Sequence, residues 1–211
     1  MNKNPAPLVV KYPGLVPYFP VWQAMQQITE HRTSSTPDQI WLLEHQPVYT
    51  LGLAGKPEHI LQAGNIPVVK VDRGGQVTYH GPGQLVIYLL LDLKRHHISI
   101  RQLVYLIEET VIQFLKSLGI IAKRREKAPG VYVNEHKIAA LGLKVRRGCC
   151  YHGLSLNVNM DLLPFQGINP CGYPGLAVTS LSEEGVAIDM AQVRQQLLAC
   201  LYVQLYQRPL P

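Results

Sequence analysis

The chain has 211 residues, 47% of them hydrophobic and 16% charged, with a formal net charge of +6. That length suits one domain, 1–211, with a sizeable core, and the composition is globular, not disordered. No apolar run is long enough to cross a bilayer, and MNKNPAPLVVKYPG lacks the apolar stretch and cleavage site of a secretory leader, so a cytoplasmic protein is expected.

In chain order, 20–32 opens on Pro20 and sets Val21, Trp22, Met25 and Ile28 on one helical face. Residues 39–51 read as strand broken near Pro47. From 67 to 93 the pattern is strand, Gly74-Gly75 turn, short strand, Gly81-Pro82-Gly83 turn, and then LVIYLLLDL, a strand buried on both faces. Residues 99–118 form the strongest helix, capped by Ser99 and ended by Gly119, with Leu103, Ile107, Val111, Phe114, Leu115 and Leu118 on its apolar stripe. Three further strands are predicted at 130–133, 138–145 and 150–159, and a last helix at 189–206 with Asp189 as cap. The predicted class is α/β, sheet-rich in its middle.

Four cysteines, Cys149, Cys150, Cys171 and Cys200, make no disulfide framework in a chain this long, and without a C-x-x-C pair a structural zinc site is not expected. Cys171 lies in Asn169-Pro170-Cys171-Gly172, where proline and glycine hold the thiol on a turn. Cys149 and Cys150 alternate in a strand, so at least one packs as a small hydrophobe, and Cys200 is expected in the core. A thiol at its reference pKa is mostly protonated at pH 7 and needs help. The candidate helpers are Lys137, which enters the apolar strand Ile138-Ala139-Ala140-Leu141, and the histidines His80 and His152. Residue types alone leave these three open.

Glycine-rich segments at Arg73–His80, Leu141-Gly142 and His152-Gly153 can bring backbone close to a substrate, yet none has the phosphate-loop or dinucleotide pattern. Two basic clusters, Lys123-Arg124-Arg125 with Lys127 and Lys144 with Arg146-Arg147, are suited to an acidic protein. No nucleic-acid-binding motif accompanies them.

Four segments, RGGQVTYHGPGQLVIYLLLDL (73–93), APGVYV with KIAALGLKVRRG (128–148), HGLSLNVNMDL (152–162) and INPCG (168–172), together resemble the lipoyl(octanoyl) transferase family, also called lipoate–protein ligase B. The resemblance implies an α/β (α+β) fold, a mixed sheet flanked by helices, similar to the catalytic domain of biotin protein ligases and ATP-dependent lipoate ligases. It implies transfer of an octanoyl group from octanoyl-acyl carrier protein to a lysine of lipoyl domains, in 2-oxoacid dehydrogenases and the glycine-cleavage H protein. Cys171 would carry the acyl thioester, and Lys137 would activate it, by lowering its pKa or by shuttling protons. Substrate would be bound by Arg73, Gly74, Gly75, Gln76, Val77, Thr78, Tyr79 and His80, by Ala140, Leu141 and Gly142, and by Gly153, Leu154 and Ser155. The resemblance implies no metal, nucleotide or other cofactor and no membrane partner. A monomer is the default expectation.

Overall fold

The computed structural model describes residues 8–206. Ten strands and four α-helices follow in order: β1 (Leu8–Val16), α1 (Tyr18–Glu30), β2 (Asp38–His45), β3 (Val48–Leu51), β4 (Val68–Lys70), β5 (Val77–His80), β6 (Gln84–Asp92), α2 (Leu93–His96), α3 (Ile100–Ser117), β7 (Lys123–Arg124), β8 (Val131–Val133), β9 (His136–Arg146), β10 (Cys149–Asn157) and α4 (Met190–Tyr206). They form a seven-stranded sheet ordered β1-β2-β6-β10-β9-β8-β7 and a three-stranded sheet ordered β4-β3-β5. Both sheets are mixed: β1 runs parallel to β2 and β3 parallel to β4, and the other pairings are antiparallel.

Strand β6 shows why the large sheet is covered on both sides. Leu85, Ile87, Leu89 and Leu91 pack on one face with Leu103, Ile107, Val111 and Phe114 of α3 and Leu197 and Leu201 of α4. The alternate residues Val86, Tyr88 and Leu90 pack on the other face with Met25 of α1 and Trp41 of β2. A two-residue period in a strand that is apolar throughout leaves no face for water. The small sheet has its own cluster, in which Tyr49 and Tyr79 meet Phe165 and Ile168.

The residues read as one broken strand at 39–51 divide between the sheets, with β2 in the large one and β3 in the small one. Proline at 47 ends one ladder, and the chain crosses to the other. Strand β1 was not among the predicted elements. It lies at a sheet edge, where a register shift between Lys11 and Gly14 absorbs the proline. Helix α1 starts at Tyr18, with Pro20 in its first turn.

Helix α3 is capped reciprocally. Ser99 Oγ accepts from the Gln102 N–H at 3.3 Å, and the Ser99 N–H donates to Gln102 Oε1 at 2.7 Å. Removing such a cap costs about 1 kcal/mol. Ser99→Ala should therefore lower the urea midpoint with an unchanged denaturant slope, whereas Ser99→Asp should retain most of the stability.

Candidate active site

Lys137 is the second residue of β9, and its side chain is 4% exposed. Its Nζ donates to Cys171 Sγ at 3.0 Å and to the Pro129 carbonyl at 3.0 Å, and it stands 5.1 Å from the Tyr132 ring centre. Gly130 makes room for it, since a Cβ there would lie 3.0 Å from Lys137 Cε. Burial pulls the Lys137 ammonium down, but the charge and hydrogen bond of the Cys171 sulfur outweigh it, with help from Tyr132, and the net direction is up.

Two backbone hydrogen bonds fix this meeting. The Lys137 N–H donates to Ala177 O at 2.9 Å, and the Thr179 N–H donates to Lys137 O at 3.0 Å. The segment after Cys171 is thus pinned to β9 at the lysine itself. Cys171 sits in a short 3-10 turn, Pro170–Gly172, with φ +58 and ψ +16. That left-handed conformation is uncommon for a residue with a Cβ and marks a locally strained backbone.

The thiol is half-buried. Cys150, by contrast, is fully buried, and burial pushes its thiol up to about 12. Burial also raises the thiols of Cys149 and Cys200. Cys200, expected in the core, is partly buried and packs against the main core cluster. Only Cys171 among the four has a cation hydrogen-bonded to its sulfur.

A cavity of about 360 Å³ opens beside the pair, a size typical of small-molecule sites. Every residue from Arg73 to Thr78 lines it, with His80, Ala140, Leu141, Gly142, Gly153, Leu154 and Ser155. Tyr79 is the exception. Alternation along β5 turns it away from the cavity, into the cluster with Tyr49 and Phe165. The glycine-rich segment is docked by the Gly74 N–H, which donates to Leu143 O at 2.9 Å. Gly142 permits this approach, because a Cβ there would come within 2.9 Å of Arg73 Cδ. The Arg73 guanidinium is buried and meets only neutral oxygens: Thr50 O at 2.6 Å, Thr50 Oγ1 at 2.8 Å and Gly74 O at 3.0 Å.

Neither candidate histidine touches the thiol through a hydrogen bond. His80 Nδ1 donates to Gln84 Oε1 at 2.7 Å, and burial, then the neighbouring His45, pull its imidazole down to about 3. His152 Nε2 faces Asp72 Oδ1 at 3.0 Å. Asp72 was not singled out in the sequence, yet it gathers donors from Trp22, Gln26, Tyr151 and His152. Burial pushes its carboxyl up, and those donors more than reverse this, holding it well below the usual carboxylate range. Lys127 of the first basic cluster also lines the cavity, as does Tyr18, which no local pattern marked.

The basic clusters are largely paired within the chain. Lys123 and Arg125 both reach Glu135, Arg124 bonds Glu108 and Glu109 at 3.2 and 2.6 Å, and Arg146 meets Glu30 at 2.9 Å. Lys127, on the cavity wall, takes part in none of these pairs. Among the described residues no group of three or more His, Cys, Asp or Glu is placed to hold a metal ion, and no helix is long and apolar enough to cross a membrane.

Comparison with known proteins agrees with this architecture. Residues 17–202 match the model of the lipoyl protein ligase A/B catalytic domain. An octanoyltransferase of Dechloromonas aromatica (strain RCB) is 59% identical over 202 residues, covering 96% of this chain and 98% of the relative. An octanoyltransferase of Laribacter hongkongensis (strain HLHK9) is 56% identical, covering 93% of this chain and 95% of that one. In three dimensions the fold is shared with a biotin protein ligase of Aquifex aeolicus, at a TM-score of 0.57 and 15% identity over 95% of this chain and 69% of that one. The chain therefore belongs to the lipoyl protein ligase A/B catalytic-domain family, among its octanoyltransferases, as an acyltransferase that moves an octanoyl group in protein lipoylation.

Proposed function

We propose that octanoyl-acyl carrier protein is the donor, that Cys171 carries the octanoyl group as a thioester, and that the acceptor is a lysine of a lipoyl domain, in 2-oxoacid dehydrogenases or the glycine-cleavage H protein. The observation that carries this reading is the 3.0 Å contact between Lys137 Nζ and Cys171 Sγ at the edge of the cavity.

The Cys171 thiolate attacks the donor's thioester carbonyl. The carbon–sulfur bond to the donor breaks, and Lys137 supplies the proton with which the carrier leaves as a thiol. Acylation removes the sulfur's charge, the larger influence that favours the ammonium, and burial, opposed only by Tyr132, then favours the neutral amine of Lys137. The neutral amine can then take the proton that the acceptor amine loses as it attacks. The Cys171–carbonyl bond breaks, an amide forms, and the ammonium–thiolate pair is restored. Thioester exchange is nearly balanced and amide formation is downhill, so the cycle balances without a nucleotide. The acyl chain would lie along Val77, Ala140, Leu141 and Leu154, with Arg73 to Thr78, His80, Gly142, Gly153 and Ser155 as further contacts. We place the reaction in the cytoplasm and take the enzyme to act as a monomer.

Intact-mass measurement after mixing with octanoyl-acyl carrier protein tests the reading. One octanoyl adduct per chain, formed without ATP and discharged by a lipoyl domain, is expected. An absolute ATP requirement would point instead to an acyl-adenylate ligase on the same fold.

Acyl carrier proteins are acidic, and the unpaired Lys127 stands at the cavity. Lys127→Glu should raise KM for the carrier-bound donor with little change for a small octanoyl thioester. Raising salt should lower kcat/KM for the carrier alone, because screening shortens charge attraction to about 10 Å or less above ~0.1 M. Equal salt response for both donors would count against carrier docking here.

A further inference from the structure

One buried polar atom in the cavity wall is left unused by the chemistry above. His152 is 1% exposed, and burial pulls its imidazole down despite Asp72. A neutral ring that offers Nε2–H to a carboxylate has a bare acceptor at Nδ1. That Nδ1 is buried and has no hydrogen-bond partner among the described residues, and the buried Tyr18 hydroxyl has only the Tyr88 hydroxyl beside it. Both residues line the cavity, whose other walls include Val77, Val86, Leu141 and Leu154. Asp72 keeps the tautomer in place, because its carboxylate also accepts from Trp22, Gln26 and Tyr151 and has no proton to give.

Position along the strands gives this polar corner a meaning. His152 is in register with Leu143, six residues along β9 from Lys137, or about 20 Å of strand. An extended eight-carbon chain reaches about 9 Å, given the ~3.6 Å that three backbone bonds span. An eight-carbon chain attached at Cys171 therefore passes Ala140 and ends well short of His152, whereas a sixteen-carbon chain, about 18 Å long on the same scale, brings its last methylenes to Nδ1. Burying apolar carbon against an unpaired acceptor is unfavourable, because the acceptor then loses any other partner.

We propose that His152, oriented by Asp72 and flanked by Tyr18, is the stop of the acyl channel and sets the upper limit on chain length. The inference rests on Cys171 as the point of attachment. The test compares kcat/KM for octanoyl and hexadecanoyl thioesters of acyl carrier protein in the wild type, His152→Leu and Tyr18→Phe. The wild type should prefer octanoyl by at least about 10-fold, and His152→Leu should narrow that ratio by about 10-fold, the scale on which pockets discriminate a methylene or two. Tyr18→Phe should narrow it in the same direction by less. A histidine that only supports Asp72 would lower both rates equally, and an unchanged ratio in the folded variants would overturn the proposal. So would a wild type that accepts hexadecanoyl as well as octanoyl. Should His152→Leu fail to fold, Tyr18→Phe decides alone. Absence of any Cys171 adduct with either chain would instead overturn the attachment point, which intact mass reads separately.

Discussion

Cys171→Ala should form no octanoyl adduct and transfer no acyl group, while Cys149→Ala and Cys200→Ala should keep both activities. The expectation rests on three differences among the thiols. Cys171 is half-buried beside the cavity, has a lysine ammonium 3.0 Å from its sulfur, and is presented by a turn with a left-handed backbone. Cys150 is sealed in the sheet, and the burial of Cys149 and Cys200 disfavours their thiolates. Covalent catalysis divides one acyl transfer between two proteins into two simpler steps, so no alternative group takes over when the sulfur is lost. Cys171→Ser keeps the shape but offers a hydroxyl far less acidic than a thiol, and turnover should fall by about 10² or more. Peptide mapping of the trapped wild-type adduct reads the position directly. An octanoyl group on Cys149 or Cys150 would remove Cys171 from its role.

Lys137→Ala should be nearly as severe, with kcat down by about 10²-fold or more, because it removes both the cation beside the sulfur and the proton carrier. Lys137→Arg separates those functions. Arginine keeps a positive charge but cannot give up its proton in a protein. Alkylation of Cys171 needs only a stabilised thiolate, whereas turnover also needs the proton to leave and return. The arginine variant should therefore recover part of the alkylation rate at pH 7 and little of the turnover. Recovery of both would mean that the charge alone matters. Full activity and an unchanged alkylation rate in Lys137→Ala would dismiss the pairing altogether. His80 is a poor substitute base in that event, since its burial and its bond to Gln84 leave it neutral and engaged.

Much of this molecule was legible in its sequence where the determinants are local. Helix α3 follows from apolar spacing and from the Ser99–Gln102 cap, and α4 from the Asp189 side chain, which accepts from the Gln192 N–H at 2.8 Å. Strand β6 follows from its uninterrupted apolar run. The turn at Pro170-Cys171-Gly172 and the entry of Lys137 into an apolar strand are likewise written in neighbouring residues.

Three other features were decided only in three dimensions. Strand β1, which the sequence pattern did not reveal, exists because the edge of β2 pairs with it across a register shift at Pro13. Tyr79 leaves the cavity because β3 pairs with β5 and turns that face toward Phe165. Above all, the partner of Cys171 could not be chosen among Lys137, His80 and His152 from residue types. Lys137 is 34 positions away and meets the sulfur because backbone hydrogen bonds at Ala177 and Thr179 lash that segment to β9. His152 is 80 positions from Asp72 and is taken up by a carboxylate that strand pairing brings beneath it. Local sequence sets what each side chain can do, but which of them share a hydrogen bond depends on long-range pairing of strands, and that is settled only when the whole sheet closes.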